Sequence, residues 1–190
     1  MSFTMDTTAK STRTPLPRGF VNAIVGDFYV QEVDDKFNEG QKKTEIVLTF
    51  ITAHKTKNKE GVEINAAGNL FCTAAWGTSD KPSNIRKFIL NWFGPLTEDQ
   101  LKKFDFEKLI GRRCSIMVSH YIKKSNGQTG DKIELATDIR PDLPQIDAIP
   151  SDFVRKADRP PRDSAPRTAN SAASAPKTGT SNDDDSDLPF

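Results

Sequence analysis

The residues of this chain with types and spacing suited to chemistry are cations interleaved with aromatic rings. Lys36, Phe37, Lys42 and Lys43 fall in one polar stretch, and Tyr121, Lys123, Lys124 and Lys132 in another. Lys55 and Lys57 sit in a third, "HKTKNK", which reads as a turn and also holds Lys59. Phe71 and Trp76 lie along or just after an apolar run, and Arg112 and Arg113 open the next one. Lysines and arginines neutralise phosphates, and each exposed ring offers a face for a base at about 1–3 kcal/mol. Few of these groups suit the reading of base edges. The chemistry they fit is sequence-tolerant holding of a single-stranded nucleic acid. Phe37 carries that reading furthest, because it stands in an otherwise polar loop. Phe71 and Tyr121 suit a core or a groove equally. Trp76, at a strand end, is placed to stack. Of Arg112 and Arg113, one should face the groove and the other solvent.

Reactive chemistry finds less support. Cys72, Cys114, His54 and His120 lack the short paired spacing of a structural zinc site. Asp34 and Asp35 form no ordered carboxylate set for magnesium. There is no glycine-rich phosphate loop and no nucleophile motif. The expectation is a non-enzymatic binding protein without metal or cofactor. A recombination adaptor or strand-annealing protein is the alternative, and a nuclease is the weakest reading.

These residues need elements to position them. "GFVNAIVGDFYVQEV" reads as a strand, with a bulge or bend at Gly26. "KTEIVLTFITAH" alternates, with Ile46, Leu48 and Phe50 on one face and Val47, Thr49 and Ile51 on the other. "EINAAGNLFCTAAW" is a third strand, interrupted at Gly68. The period then changes. Ile85, Phe88, Ile89 and Trp92 fall at i, i+3, i+4 and i+7, one face of a helix, with Ser83 as N-cap and Gly94 as its stop. That face makes Trp92 a core residue. Thr97 caps a second helical stretch, and "DFEKLIG" docks one more turn. "RRCSIMVSHYI" and "KIELATDI" are the last two strands, joined by "KKSNGQTGD". Three strands, a helical insertion and two strands specify an all-β domain, a five-stranded OB-fold barrel with a helix between its third and fourth strands.

Composition sets the boundaries. Residues 1–17 read as a disordered arm, 18–144 as the barrel domain and 145–182 as a disordered linker rich in Pro, Ser, Ala and Thr. The chain is close to neutral at +1, but residues 1–150 hold 21 basic against 19 acidic residues and residues 151–182 hold six against three. Asp183, Asp184, Asp185 and Asp187 then precede Leu188, Pro189 and Phe190, an acidic tip after a basic linker. No signal peptide and no membrane span are read in the sequence, so a cytoplasmic protein with reduced thiols is expected.

Two stretches resemble known families. "DDDSDLPF" resembles the acidic C-terminal tip of bacterial single-stranded DNA-binding proteins, in which Asp residues precede a terminal Pro-Phe. The segment from Gly19 to Asp142 is similar to a family of phage replication proteins with an OB-type core. The match is best from Ser83 to Phe88, from Phe104 to Gly111 and at His120. The bacterial proteins' strand motifs are absent from the core, so their tetramer is not implied. The resemblance implies a protein that coats and protects single-stranded DNA in phage replication, recombination or repair. Through its tip it recruits a polymerase, primase or helicase, Phe190 offering a ring and a carboxylate to a basic-rimmed pocket. The tip's charge also mimics a short run of phosphates, so it should compete with DNA for the protein's own basic groove.

Overall fold

A computed structural model describes residues 15–35, 38, 40–58, 60–123 and 127–159. Five antiparallel strands dominate: β1 (Gly19–Asp34), β2 (Lys42–Lys57), β3 (Glu63–Thr73), β4 (Arg113–Ile122) and β5 (Thr129–Thr137). Two helices, α1 (Asn84–Phe93) and α2 (Glu98–Lys102), and a 3-10 turn (Phe106–Leu109) separate β3 from β4. The order in the sheet is β3-β2-β1-β4-β5.

The expected closed barrel is not formed. β3 and β5 are the two edges of one sheet, and no ladder joins them among the described residues. Side chains occupy the space between the edges instead. A Cβ added at Gly68 of β3 would stand 2.7 Å from Leu16 and 3.3 Å from Ile133 of β5. Gly68 therefore does not interrupt β3; it lets the sheet curl around Leu16. His120 holds Leu16 there, donating from Nε2 to its carbonyl at 2.7 Å, while the Leu16 N–H donates to Asp131 at 3.2 Å.

The period-2 patterns give the two faces. Ile46, Leu48 and Phe50 point into the main core with Val21, Ala23 and Val25 of β1 and Ile116 and Val118 of β4. Gly26 is the bulge: Val25 pairs with Phe50 and Asp27 with Thr49, leaving Gly26 as the extra residue. The bulge changes the phase of β1, so Phe28 rejoins the core while Asp27 and Tyr29 face outward. α1 closes the core with Ile85, Phe88, Ile89 and Trp92, as the spacing predicts. Ser83 accepts the Arg86 N–H at 3.3 Å, Gly94 ends the helix at φ 79°, and Thr97 and Gln100 form a capping box on α2. Eight rings run in contact from Phe50 through Phe88, Trp92, Phe93, Phe104 and Phe106 to Trp76 and Phe28, with centroids 4.8–5.9 Å apart except Phe88–Trp92 at 6.2 Å. β5 starts three residues earlier than the sequence pattern indicates, because Gly130 pairs with Tyr121 and Thr129 with Ile122.

The folded unit extends to Arg159, beyond the expected boundary at residue 144. Residues 145–159 were expected in the linker, but they cross the outer face as a strap. Ile146, Ile149 and Phe153 pack on Ile24, Ile51 and Ala67. Asp27 fastens the strap: its carboxylate accepts the Lys156 N–H at 2.7 Å and the Arg155 guanidinium at 3.1 Å. Among the described residues, no helix is long and apolar enough to cross a membrane.

Two outcomes follow. Asp27→Ala should cost about 3 kcal/mol, the low end of what removing one partner of a buried ion pair costs, read from urea unfolding. A loss below 1 kcal/mol would show that the strap is held by its apolar contacts alone. Burial also pushes the Cys72 thiol up to about 11 and the Cys114 thiol to about 12. Both should resist thiol reagents at pH 8 in the folded protein. The unfolded chain releases these protons first, from about pH 9. Stability is therefore intact below that pH and falls as pH rises towards 11–12. A flat stability profile from pH 8 to 11 would contradict this.

Candidate nucleic-acid interface

A cleft with room for a flat, charged ligand lies where the two sheet edges approach under α1. It encloses about 530 Å³ between Asn69 and Phe71 of β3, Tyr121 of β4, Lys132 and Glu134 of β5, and Asn84, Lys87 and Asn91 of α1. Each element contributes by its own period. Asn69 and Phe71 occupy outward positions of β3. Asn84, Lys87 and Asn91 fall at i, i+3 and i+7, the helix face that borders the buried stripe.

Phe71 is 54% exposed and Tyr121 48%. Two large rings that wet in one cleft are available surface rather than core packing. Tyr121 lies flat against the backbone of β5: a Cβ at Gly130 would meet its ring carbon Cζ at 2.6 Å. The cations differ. Lys132 donates to Glu134 at 2.8 Å, and Ser119 donates to the same carboxylate at 2.6 Å. These two bonds, Lys132 first, hold Glu134 below its usual carboxylate range. Lys87 has no ion-pair partner among the described residues, so it is the cleft's uncommitted charge.

Across the sheet Phe71 is in register with Val47, which is fully buried, and Val47 with Tyr29, one residue per strand. At about 4.8 Å per strand, Tyr29 stands about 10 Å from Phe71. The strap covers that end of the row, with Lys156 Nζ 3.8 Å from the centre of the Tyr29 ring and 3.3 Å from Gln31. Burial, and next the Asp27 charge, raises the Tyr29 phenol above its ordinary value.

The structure thus brings together Phe71, Tyr121 and Lys132 of the residues expected at the interface. Lys36, Phe37, Lys124 and the tip from Asp183 to Phe190 lie outside the described residues. Lys123 follows β4 directly, and its N–H closes the loop on Gln128 at 2.9 Å. Lys42 and Lys43 stand at the β1–β2 end of the sheet, opposite Glu32 at 3.8 Å and Glu45 at 2.9 Å. Lys55 and Lys57 are not on a turn but at the far end of β2, twelve to fifteen residues from Lys42 and Lys43. There Lys55 donates to Asn65 across the strand pair.

Three further expectations are corrected. Trp76 is half-buried and stacks on Phe106 at 5.6 Å, because the turn after β3 folds back on the aromatic cluster. Arg112 lies over the Phe93 and Trp92 rings at 4.5 and 5.9 Å, since residue 112 is still bonded to Leu109 in the turn before β4. Arg113 is the first residue of β4 and pairs with Asp147 of the strap at 2.8 Å. Neither arginine lines the cleft. Sequence reasoning missed Lys87 and Asn91. Their signal was present: once Ile85, Phe88, Ile89 and Trp92 fix the buried stripe, residues 84, 87 and 91 form a polar one beside it.

A Gly130→Ala substitution should push the Tyr121 ring off β5, moving its ring-proton resonances towards free-tyrosine positions while amide resonances elsewhere stay put. Unchanged ring shifts would mean that the ring is not seated on this backbone. In comparisons with known proteins, no family model and no curated protein sequence matches this chain.

Proposed function

We propose that this chain is a non-enzymatic, sequence-tolerant single-stranded DNA-binding protein built on an OB-type arrangement of strands. The observation that carries the reading is the pair of exposed rings, Phe71 and Tyr121, lining one cleft with Lys87 and Lys132. Unstacked bases can lie on such rings, whereas a duplex keeps its base faces covered. Three strands, a helical insertion and two strands, with β1 pairing to both β2 and β4, favour the OB-type arrangement. The protein would coat and protect single strands during replication, recombination or repair, as in a phage. The acidic segment Asp183–Phe190 would bring a polymerase, primase or helicase to the coated strand.

Fluorescent oligo(dT) and a matched duplex, titrated at two salt concentrations, test this. Single strands should bind more tightly, and log affinity should fall with log salt by about 0.7 per neutralised phosphate. Phe71→Ala and Tyr121→Ala should each weaken binding by about 1–3 kcal/mol. Lys87→Ala should flatten the salt slope more than Lys132→Ala, because Glu134 already offsets Lys132. Equal affinity for duplex and single strand, or full affinity in the Phe71 and Tyr121 variants, would overturn the proposal.

A further inference from the structure

A second concavity, of about 430 Å³, lies between the C-terminal end of α1, α2 and the 3-10 turn. It is at the lower end of the size range of small ligand sites. It shares no lining residue with the Phe71–Tyr121 cleft. Its floor is apolar, formed by Phe93, Phe104 and Leu109, and its rim carries Lys103, Lys108 and Arg112. Among the described residues Lys103 and Arg112 have no ion-pair partner. Arg112 instead spreads its guanidinium over Phe93 at 4.5 Å, which leaves its N–H edges open to a carboxylate. Asp99 and Asp105 also line the site. Asp105 is already engaged, capping the Glu107 N–H at 3.1 Å with Lys108 at 3.8 Å. An apolar floor under a cationic rim suits a peptide that joins apolar side chains to carboxylates.

We infer that this pocket receives the segment Asp183–Phe190 of a second copy of the chain. That segment places Leu188, Pro189 and Phe190 directly after four aspartates, so its apolar part matches the floor and its charge matches the rim. Pro189 limits the backbone freedom lost on docking. The 23 residues between Arg159 and Asp183 set an upper bound of about 80 Å on the reach. The choice of a second copy rests on the DNA-binding reading, in which a coated strand lines copies up side by side. A pocket on one copy and a segment on the next make a head-to-tail contact that can repeat along the strand.

Sedimentation of full-length protein without DNA tests the contact, using two variants that damage opposite halves. One carries Leu188→Ala and Phe190→Ala; the other carries Lys103→Glu and Lys108→Glu, both on exposed side chains. The unmodified chain should associate as its concentration rises. Each variant alone should lose at least tenfold in association. Mixed, they should form a 1:1 complex, because one retains the pocket and the other the segment. Absence of the mixed complex, or undiminished association of the Lys103→Glu/Lys108→Glu chain, would overturn the inference. Oligo(dT) titrations of the same proteins separate the two readings. Loss of DNA binding in every form with the mixed complex intact would sink the DNA-binding proposal and leave the pocket standing.

Discussion

The carboxylate of Asp27 is almost out of contact with water, and the outer half of the molecule is arranged around it. A buried carboxylate is tolerated only when its oxygens are matched by donors. Asp27 has three: its neighbour's N–H on Phe28 at 2.9 Å, the Arg155 guanidinium and the Lys156 N–H. The first is local; the other two come from about 130 residues further along. The bulge at Gly26 turns Asp27 outward, and the strap must come to it. Arg155 then reaches Glu107 at 2.9 Å, which ties the strap to the 3-10 turn as well as to β1. Lys156 is carried onto the Tyr29 ring by the same bonds.

On the other side of β1 the bulge has a second effect. It returns Phe28 to the inner face, where it stacks on Phe106 at 5.2 Å. Phe28 is thereby one end of the run of rings that continues through Phe104 and Phe93 to α1. Ring pairs of this kind add about 0.5–1.5 kcal/mol each beyond the area they bury. The run holds α1 against the core while its polar side, with Lys87 and Asn91, borders the cleft. Arg86 adds a tie at the N-terminal end, buried on α1 and paired with Glu98 of α2. One inserted glycine therefore positions both the outer strap and the inner packing that sets the cleft wall.

The strands and α1 were legible in the sequence because local patterns determine them. Alternation marks both faces of β2, and the stripe from Ile85 to Trp92 marks the buried side of α1. Caps at Ser83 and Thr97 and the bulge at Gly26 have residue-level signals, and the structure carries all three. The strap was not legible. Residues 145–159 are just over half polar and carry a single proline, and their order comes from partners on β1, β2 and β3 that no local window contains. The cleft was half legible. Phe71, Tyr121 and Lys132 are recognisable by type, but Lys87 becomes a partner only when β3, β5 and α1 converge. Arg112 and Trp76 mislead for the same reason, since a cation or a large ring reads alike whether it meets a ligand or another ring.

The two concavities differ in how many of their cations are unpaired. In the cleft the acids stand beside the cations, and Lys132 is partly neutralised by Glu134, so on the proposed function the rings would supply much of the binding energy. If the proposed single strand binds there, bases would be gripped more than backbone, which favours tolerance of sequence and a shallow salt dependence. In the second pocket Lys103 and Arg112 have no ion-pair partner among the described residues, although Asp99 and the Asp105–Lys108 pair also line it, and the rings below are committed to packing. The two concavities share no lining residue, so the two proposed ligands would not compete for one site.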